Sequence, residues 1–238
     1  MKITVINGTE KHGITYRLKE IFLSEFKDNA DITEYYLPKD CPEFCNGCTN
    51  CILKGENTCK DNEKVQKISR SLRDADLIVM TTPAYVFHAT GAMKVLLDHL
   101  AYQWMPHRPA PEMFKKRAVI LTQCLGAGAR SAARDIQHSL AWWGISDIKT
   151  CSVSLMQDIY WDKLTDKKRS QLTKKVSHLS KVCSNIDYSR PPHTSLAVKF
   201  KFCFCRLMHK SLHKTHPESH DTNYWYHLGW LDHTRPWK

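Results

Sequence analysis

Short apolar, β-branched runs alternate along the chain with segments whose apolar residues recur every three or four positions, the marks of strand and helix. Lys2 to Ile6 is the first such run and stops at Asn7-Gly8; from Thr15 onward Leu18, Ile21, Phe22 and Phe26 fall at helical spacing. Ile32 to Leu37 reads as a second strand. A polar, cysteine-rich stretch follows it, and Val65, Ile68 and Leu72 then mark another amphipathic helix. Asp76 to Met80 is nearly all apolar, the pattern of a central strand buried on both faces of a parallel sheet, and Thr81-Thr82-Pro83 closes it. Met93 to Leu100 reads as helix, Ala118 to Leu121 as strand, the segment through Ile136, Leu140 and Trp143 as helix, and Ile148 to Val153 as strand. A long helix carrying Leu164, Leu172, Val176, Leu179 and Cys183 completes the alternation.

Every connection is long enough to contain a crossover helix, so the sheet is predicted to be parallel. Five strands in this alternation predict an α/β, flavodoxin-like three-layer sandwich with strand order 2-1-3-4-5. In that order growth of the sheet reverses between strands one and three, and ligands bind beyond the carboxyl ends of the strands at that point. Residues 1–187 form this predicted domain, with a cysteine-rich insertion at about 41–60, and residues 188–238 form an extension after Ser189-Arg190-Pro191-Pro192. In the extension Leu196, Phe200, Cys203, Phe204, Leu207 and Met208 line one face of a basic helix, and an aromatic-rich stretch from Tyr224 to Trp237 ends the chain. Such a segment is expected to pack on its own domain or a second subunit, or to lie on a membrane surface.

The formal net charge is +11, but the basic residues are spread along helix faces and the extension rather than gathered in one block. With no zinc-finger, helix-turn-helix or RNP-type pattern beside them, nucleic acid is not the expected partner, and attraction to anionic cofactors or surfaces accounts for the charge. No apolar run reaches the roughly 18 to 20 residues that span a bilayer, and the N-terminus lacks a signal-peptide core, so a cytoplasmic protein is expected. Ten cysteines in such a chain imply reduced thiols or metal ligation rather than a disulfide framework.

Four of them, Cys45, Cys48, Cys51 and Cys59, follow the spacing C-x2-C-x2-C-x7-C. Three thiolates so close converge readily on one small centre, and the longer gap lets the chain fold back with a fourth. One self-contained iron-sulfur cluster of the 4Fe-4S type fits. A four-cysteine zinc site and a metal-free packed loop remain open on spacing alone.

Loop one, Gly8-Thr9-Glu10-Lys11-His12-Gly13-Ile14-Thr15, combines glycines for tight turns with hydroxyls, helix-terminal amides and the Lys11 charge, a set that suits a phosphate. A plain strand-to-helix turn is the other reading. Ile14 stands where the pattern G-x4-G-K-S/T requires lysine, which argues against an ATPase, and the third glycine of G-x-G-x-x-G is absent. Loop three runs from Thr82 through Pro83, Ala84, Tyr85, Val86, Phe87, His88, Ala89 and Thr90 to Gly91. Its stiff exit from a buried strand, exposed amides and aromatic side chains suit a planar ring such as isoalloxazine. Loop four, Thr122-Gln123-Cys124-Leu125-Gly126-Ala127-Gly128, reaches the same edge. Cys124 reads as strand-end packing rather than a nucleophile. His107 and Arg108 are candidates for meeting a substrate or a nicotinamide phosphate, or for a solvated loop.

Taken in order, Gly8-Thr9 with Thr15, the run Cys45-Asn46-Gly47-Cys48 to Cys51, Ala75-Asp76, Pro83-x-Tyr85, and Met93-Lys94 with Leu97-Asp98 resemble the NADPH-dependent FMN reductase and iron-sulfur flavoprotein family over about residues 1–186. The resemblance implies non-covalent FMN and two-electron reduction by NAD(P)H, often in a homodimer. Carried over by position, it implies that Thr9, Lys11, Gly13, Ile14 and Thr15 hold the phosphate. Pro83, Ala84, Tyr85, Val86 and Phe87, with Thr122, Gln123, Gly126, Ala127 and Gly128, border the ring. Such an enzyme passes electrons from NAD(P)H to a quinone, nitro compound, flavin or similar small-molecule acceptor, with the flavin rather than a side chain carrying the hydride. The alternative is an electron carrier in which flavin and cluster serve protein partners.

Overall fold

The computed structural model describes residues 1–40, 42–156 and 160–238; Cys41, where the predicted insertion begins, lies outside them. Strands β1 (Lys2–Asn7), β2 (Asp31–Tyr36), β3 (Leu77–Pro83), β4 (Arg117–Leu125) and β5 (Asp147–Leu155) pair in parallel in the predicted order β2-β1-β3-β4-β5. Between and after them come helices α1 (Ile14–Leu23), α2 (Asn50–Leu53), α3 (Asn62–Asp74), α4 (Gly91–His99), α5 (Ala129–Trp142) and α6 (Asp166–Ser184). Two more helices, α7 (Leu196–Thr215) and α8 (His220–His227), belong to the C-terminal segment. The flavodoxin-like sandwich expected from the sequence is the observed fold.

The apolar run of β3 has a direct structural cause. Ile78 and Met80 face one core with α3, α4 and α5, whereas Leu77 and Val79 face the other with α1 and α6. A strand that serves two cores needs no polar side, so alternation disappears from its sequence. Strands β4 and β5 extend past the predicted ends because their polar residues find partners inside the sheet. The Thr122 hydroxyl donates to the Ala129 carbonyl and lies 2.9 Å from Ser152 Oγ.

A lysine is buried in the outer layer. Lys19 on α1 is fully shielded, yet its Nζ lies 2.6 Å from Glu34 and 3.0 Å from Glu20, and it donates to the Tyr36 hydroxyl at 3.1 Å. Burial alone would lower its pKa; the two carboxylates outweigh burial and raise it. This cluster fixes α1 against the edge strand β2.

The C-terminal segment packs on the domain, but through a face of α7 opposite to the predicted one. Val198, Phe202, Cys205 and His209 turn inward, and Phe202 meets Trp225, Trp230 and Phe114 at ring separations of 4.8, 5.3 and 5.9 Å. Leu196, Phe200, Cys203, Phe204 and Leu207 remain exposed. The helix is apolar on both sides, and the aromatic pocket around Phe114 selects the side bearing Phe202 and the histidine that can pair inside. His209 stacks on Trp225 at 4.8 Å and its Nδ1 lies 3.1 Å from the Thr222 hydroxyl.

Burial pushes the His209 pKa down to about 4 against the attraction of Asp221. Below about pH 6.5 the unfolded chain binds a proton at this ring that the folded chain excludes until about pH 4, so acid removes stability across that window. The expected slope from this group is about 1.4 kcal/mol per pH unit. Urea titrations of wild type and His209→Gln at stepped pH should therefore show a shallower acid loss in the variant; parallel curves would contradict the assignment.

Candidate functional site

Parallel strands deliver loops one, three and four to a single edge, and side-chain hydrogen bonds lock them together. The Thr90 hydroxyl, at the N-cap of α4, donates to the Gly8 carbonyl at 2.6 Å while accepting from the Met93 amide at 3.2 Å. The Thr90 amide donates to the Thr82 hydroxyl at 3.1 Å. Loop one is thus tied to the end of loop three. Gly8 has no room for a side chain, since a Cβ there would lie 2.8 Å from the Thr81 carbonyl oxygen.

Behind loop one, α1 begins after Gly13 with no side chain capping it. Its first amide N–H groups are therefore left for water or an anion, the natural occupant of a helix N-terminus. Thr15 is buried in the first turn; Thr9, Glu10, Lys11 and His12 are partly or wholly exposed, with the Thr9 hydroxyl accepting from the Lys11 amide at 3.2 Å. A ten-residue helix aimed at a turn with a nearby ammonium group can bind a phosphate.

Loop three is a tight hairpin. Tyr85 and His88 exchange backbone hydrogen bonds of 2.9 and 3.0 Å, and between them Val86 and Phe87 hold φ of +50° and +68°. A β-branched residue in the left-handed region is strained. Asp135 on α5 braces the turn by accepting from the Ala89 amide at 2.9 Å and lying 3.1 Å from His88 Nδ1. Loop four closes against it, with Gly128 at φ +108° and so close that a Cβ would stand 2.9 Å from Phe87 Cα. Tyr85, Val86 and Phe87 are consequently held out at the edge, Val86 with 91% of its surface exposed.

The edge therefore gathers most of the expected residues but sorts them. Ala84 to Phe87 and Gly126 to Gly128 reach the surface. Pro83, Thr122 and Gln123 are buried strand residues; the Gln123 carbonyl accepts from the Ala84 amide at 2.7 Å and so aims loop three. Beside the hairpin lies a cavity of about 500 Å³ whose lining includes His88, Leu97, Ala101, Trp104, Asp135 and His138. Asp135 lies outside the loops read from the sequence, and Thr90 enters there only as part of loop three, not as its tie to loop one. Thr90 carries a local signal, a threonine before a glycine at a helix start, but Asp135 looks like any solvent-facing helix residue.

The four cysteines are free thiols in a segment from exposed Cys45 and Cys48 to half-buried Cys51 and Cys59. Burial raises the Cys51 pKa first, and the neighbouring Cys59, Cys45 and Cys48 raise it further, against Arg108. Among the described residues the ligand atoms that converge within 4.8 Å of one another are those of Cys59, Asp61 and His99. His99, buried on α4, donates from Nε2 to the Glu43 carbonyl at 2.7 Å, which leaves Nδ1 to accept from the Cys59 thiol at 3.7 Å.

His107 and Arg108 do not stand free for a substrate. Arg108 is buried and donates to the Cys51 carbonyl, to the Ile52 carbonyl at 3.1 Å, to Glu56 at 3.0 Å and to Asp221 on α8. His107 Nδ1 lies 2.7 Å from the same Asp221 carboxylate. The two side chains clasp the cysteine segment to the C-terminal helices.

The fold and this edge define a flavodoxin-like protein whose first loop leads into an uncapped helix start and whose third loop holds aromatic side chains at the surface. Residues 1–158 match the profile of NADPH-dependent FMN reductase, and the chain belongs to that family. Among curated relatives, an iron-sulfur flavoprotein of Archaeoglobus fulgidus is 21% identical over 60% of this chain and 63% of its own length. A second from the same organism is 34% identical over 41% and 48%. An NADPH azoreductase from a Bacillus strain is 29% identical over 59% and 69%. The first two matches thus span about half to two thirds of those relatives' lengths. Among solved structures, an FMN-dependent NADH-azoreductase from Bacillus anthracis in complex with FMN superposes with a TM-score of 0.60 at 13% identity, covering 78% of this chain and all of that one. Another azoreductase from that organism gives 0.58 at 14%, covering 78% and 99%. These likenesses show the fold.

Replacing Arg108 by Met retains bulk but strands the Cys51 and Ile52 carbonyl oxygens and takes from the Asp221 carboxylate its guanidinium partner, leaving it His107. Unfolding free energy should fall by about 3 kcal/mol, the range for breaking a buried charged pair. Limited proteolysis should then cut within residues 45–60 well before it cuts the sheet. Unaltered stability and cleavage would show that the clasp is not needed to hold the segment.

Proposed function

We propose that the chain is an FMN-dependent oxidoreductase that takes electrons from NADH or NADPH and passes them to a quinone, nitro compound, free flavin or similar acceptor. The observation that carries this reading is the uncapped start of α1 behind loop one, facing the strained aromatic hairpin across the point where sheet growth reverses. Membership of the FMN reductase family supports it.

The residues fit the cofactor. Thr9, Lys11, Gly13, Ile14 and Thr15 would hold its phosphate through amides, hydroxyls and one ammonium group. Ala84, Tyr85, Val86 and Phe87 would border one side of the ring, and Gly126, Ala127 and Gly128 the other. Pro83, Thr122 and Gln123 set the strand ends from which those loops spring. When bound, FMN supplies a ring that accepts a hydride from a nicotinamide and releases electrons to an acceptor. The chain's part is to bind and orient: the braced hairpin and Gly128 limit how a ring can lie, and the apolar floor of the adjacent cavity at Leu97, Ala101 and Trp104 suits a flat acceptor. A homodimer is the expected assembly.

Cys45, Cys48, Cys51 and Cys59 fit one 4Fe-4S cluster by their all-sulfur donor set. Two relatives named iron-sulfur flavoproteins support the cluster, and with a cluster the second reading is a chain that carries electrons between protein partners.

Anaerobic mixing separates the two readings. FMN should co-purify, NADH or NADPH should bleach it within seconds, and a quinone should restore the colour; bleaching by dithionite alone would leave the carrier. Thr15→Ala should weaken FMN binding by about 1 to 2 kcal/mol, the loss of a hydrogen bond to a charged group.

Cys48→Ser tests the cluster. Iron and acid-labile sulfide, assayed after anaerobic purification and reconstitution, should vanish together while FMN stays bound. A wild-type chain without iron would return the four cysteines to a packed loop.

A further inference from the structure

We infer that the exposed face of α7 is a docking surface for an anionic lipid membrane. Along one side of this helix Leu196, Phe200, Cys203, Phe204 and Leu207 lie in line, with Leu196 81%, Phe200 75%, Phe204 60% and Leu207 64% exposed. Isolated apolar side chains are ordinary on a protein surface; two phenylalanines and two leucines in one stripe are not.

The charge around the stripe selects its partner. Residues 196–215 contain Lys199, Lys201, Arg206, Lys210 and Lys214 and no carboxylate. On a helical projection Lys199, Arg206 and Lys210 border one side of the stripe, Lys201 lies beyond the other side, and Lys214 continues its line. Lys201 sits 5.3 Å over the Trp142 ring. Among the described residues Lys199, Arg206, Lys210 and Lys214 form no ion pair. A second copy of α7 laid on the stripe would bring its own cations against these with no negative charge to answer them. An anionic bilayer answers all of them while accepting the phenylalanines and leucines at the boundary of headgroups and acyl chains. The stripe is also a convex ridge one helix wide, so a protein partner would need a matching groove, whereas lipid deforms round it.

The helix needs no ordering on contact. Its opposite side is held by Phe202 against Trp225, Trp230 and Phe114, and by His209 against Trp225 and Thr222. No described helix is long and apolar enough to cross a membrane, so the contact is peripheral.

The test is co-sedimentation of the full chain with phosphatidylcholine vesicles, with and without phosphatidylserine. Wild type should pellet with the phosphatidylserine vesicles only and be released by raised salt. The double variant Phe200→Ser, Phe204→Ser should keep its circular dichroism and lose about tenfold in vesicle affinity. Lys199→Gln with Arg206→Gln should weaken binding as well and reduce its salt dependence. Three results overturn the proposal: no sedimentation of wild type with anionic vesicles, equal binding by the phenylalanine variant, or a smaller solution mass for that variant than for wild type, which would assign the stripe to a second copy.

Discussion

The constraint on which the rest depends is the parallel pairing of β3 with β1 on one side and β4 on the other. A parallel partner can be reached only by crossing the sheet and re-entering from the same end, so every strand points the same way and every exit loop arrives at one edge. The two apolar cores follow, because the crossovers cover both faces. The polar architecture of the edge follows in turn. Thr90 can reach the Gly8 carbonyl, 82 residues away in sequence, only because β1 and β3 are neighbours.

The cysteine segment is organised on a different principle. Between Glu43 and Thr58 it buries few apolar side chains, and it is held instead by directed bonds to a shielded guanidinium. Arg108 reaches the insertion and α8 at once, and Trp225 reinforces the link by donating to the His107 carbonyl at 2.7 Å. Burying such a cation adds little net stability, but removing it leaves its acceptors uncompensated. The C-terminal helices are thus part of the support of the cysteine segment, not a separate attachment.

Much of this was legible beforehand, for identifiable reasons. The β3 run, the helical spacing of Leu18, Phe22 and Phe26, and the position of the insertion after β2 are local patterns, and local patterns express burial directly. Loops one, three and four could be placed because strand order dictates which loops meet. Long-range polar pairings were hidden, since neither Asp135 bracing Ala89 nor Arg108 reaching Asp221 leaves a mark near its own position. The helix α7 misled for a third reason: periodicity says which residues favour burial, and a helix apolar on two sides does not say which side its neighbours will take.

The hairpin at Val86 and Phe87 sets the terms on which this chain can vary. Its backbone suits asparagine or glycine, and either would relax the turn, so at the tip the two substitutions that steady the molecule also strip away the apolar surface that the turn presents. Improvement by stability alone would erode it. The hairpin is thereby a point at which endurance and exposed apolar surface pull in opposite directions, and libraries screened only for heat resistance should return asparagine or glycine at those two positions.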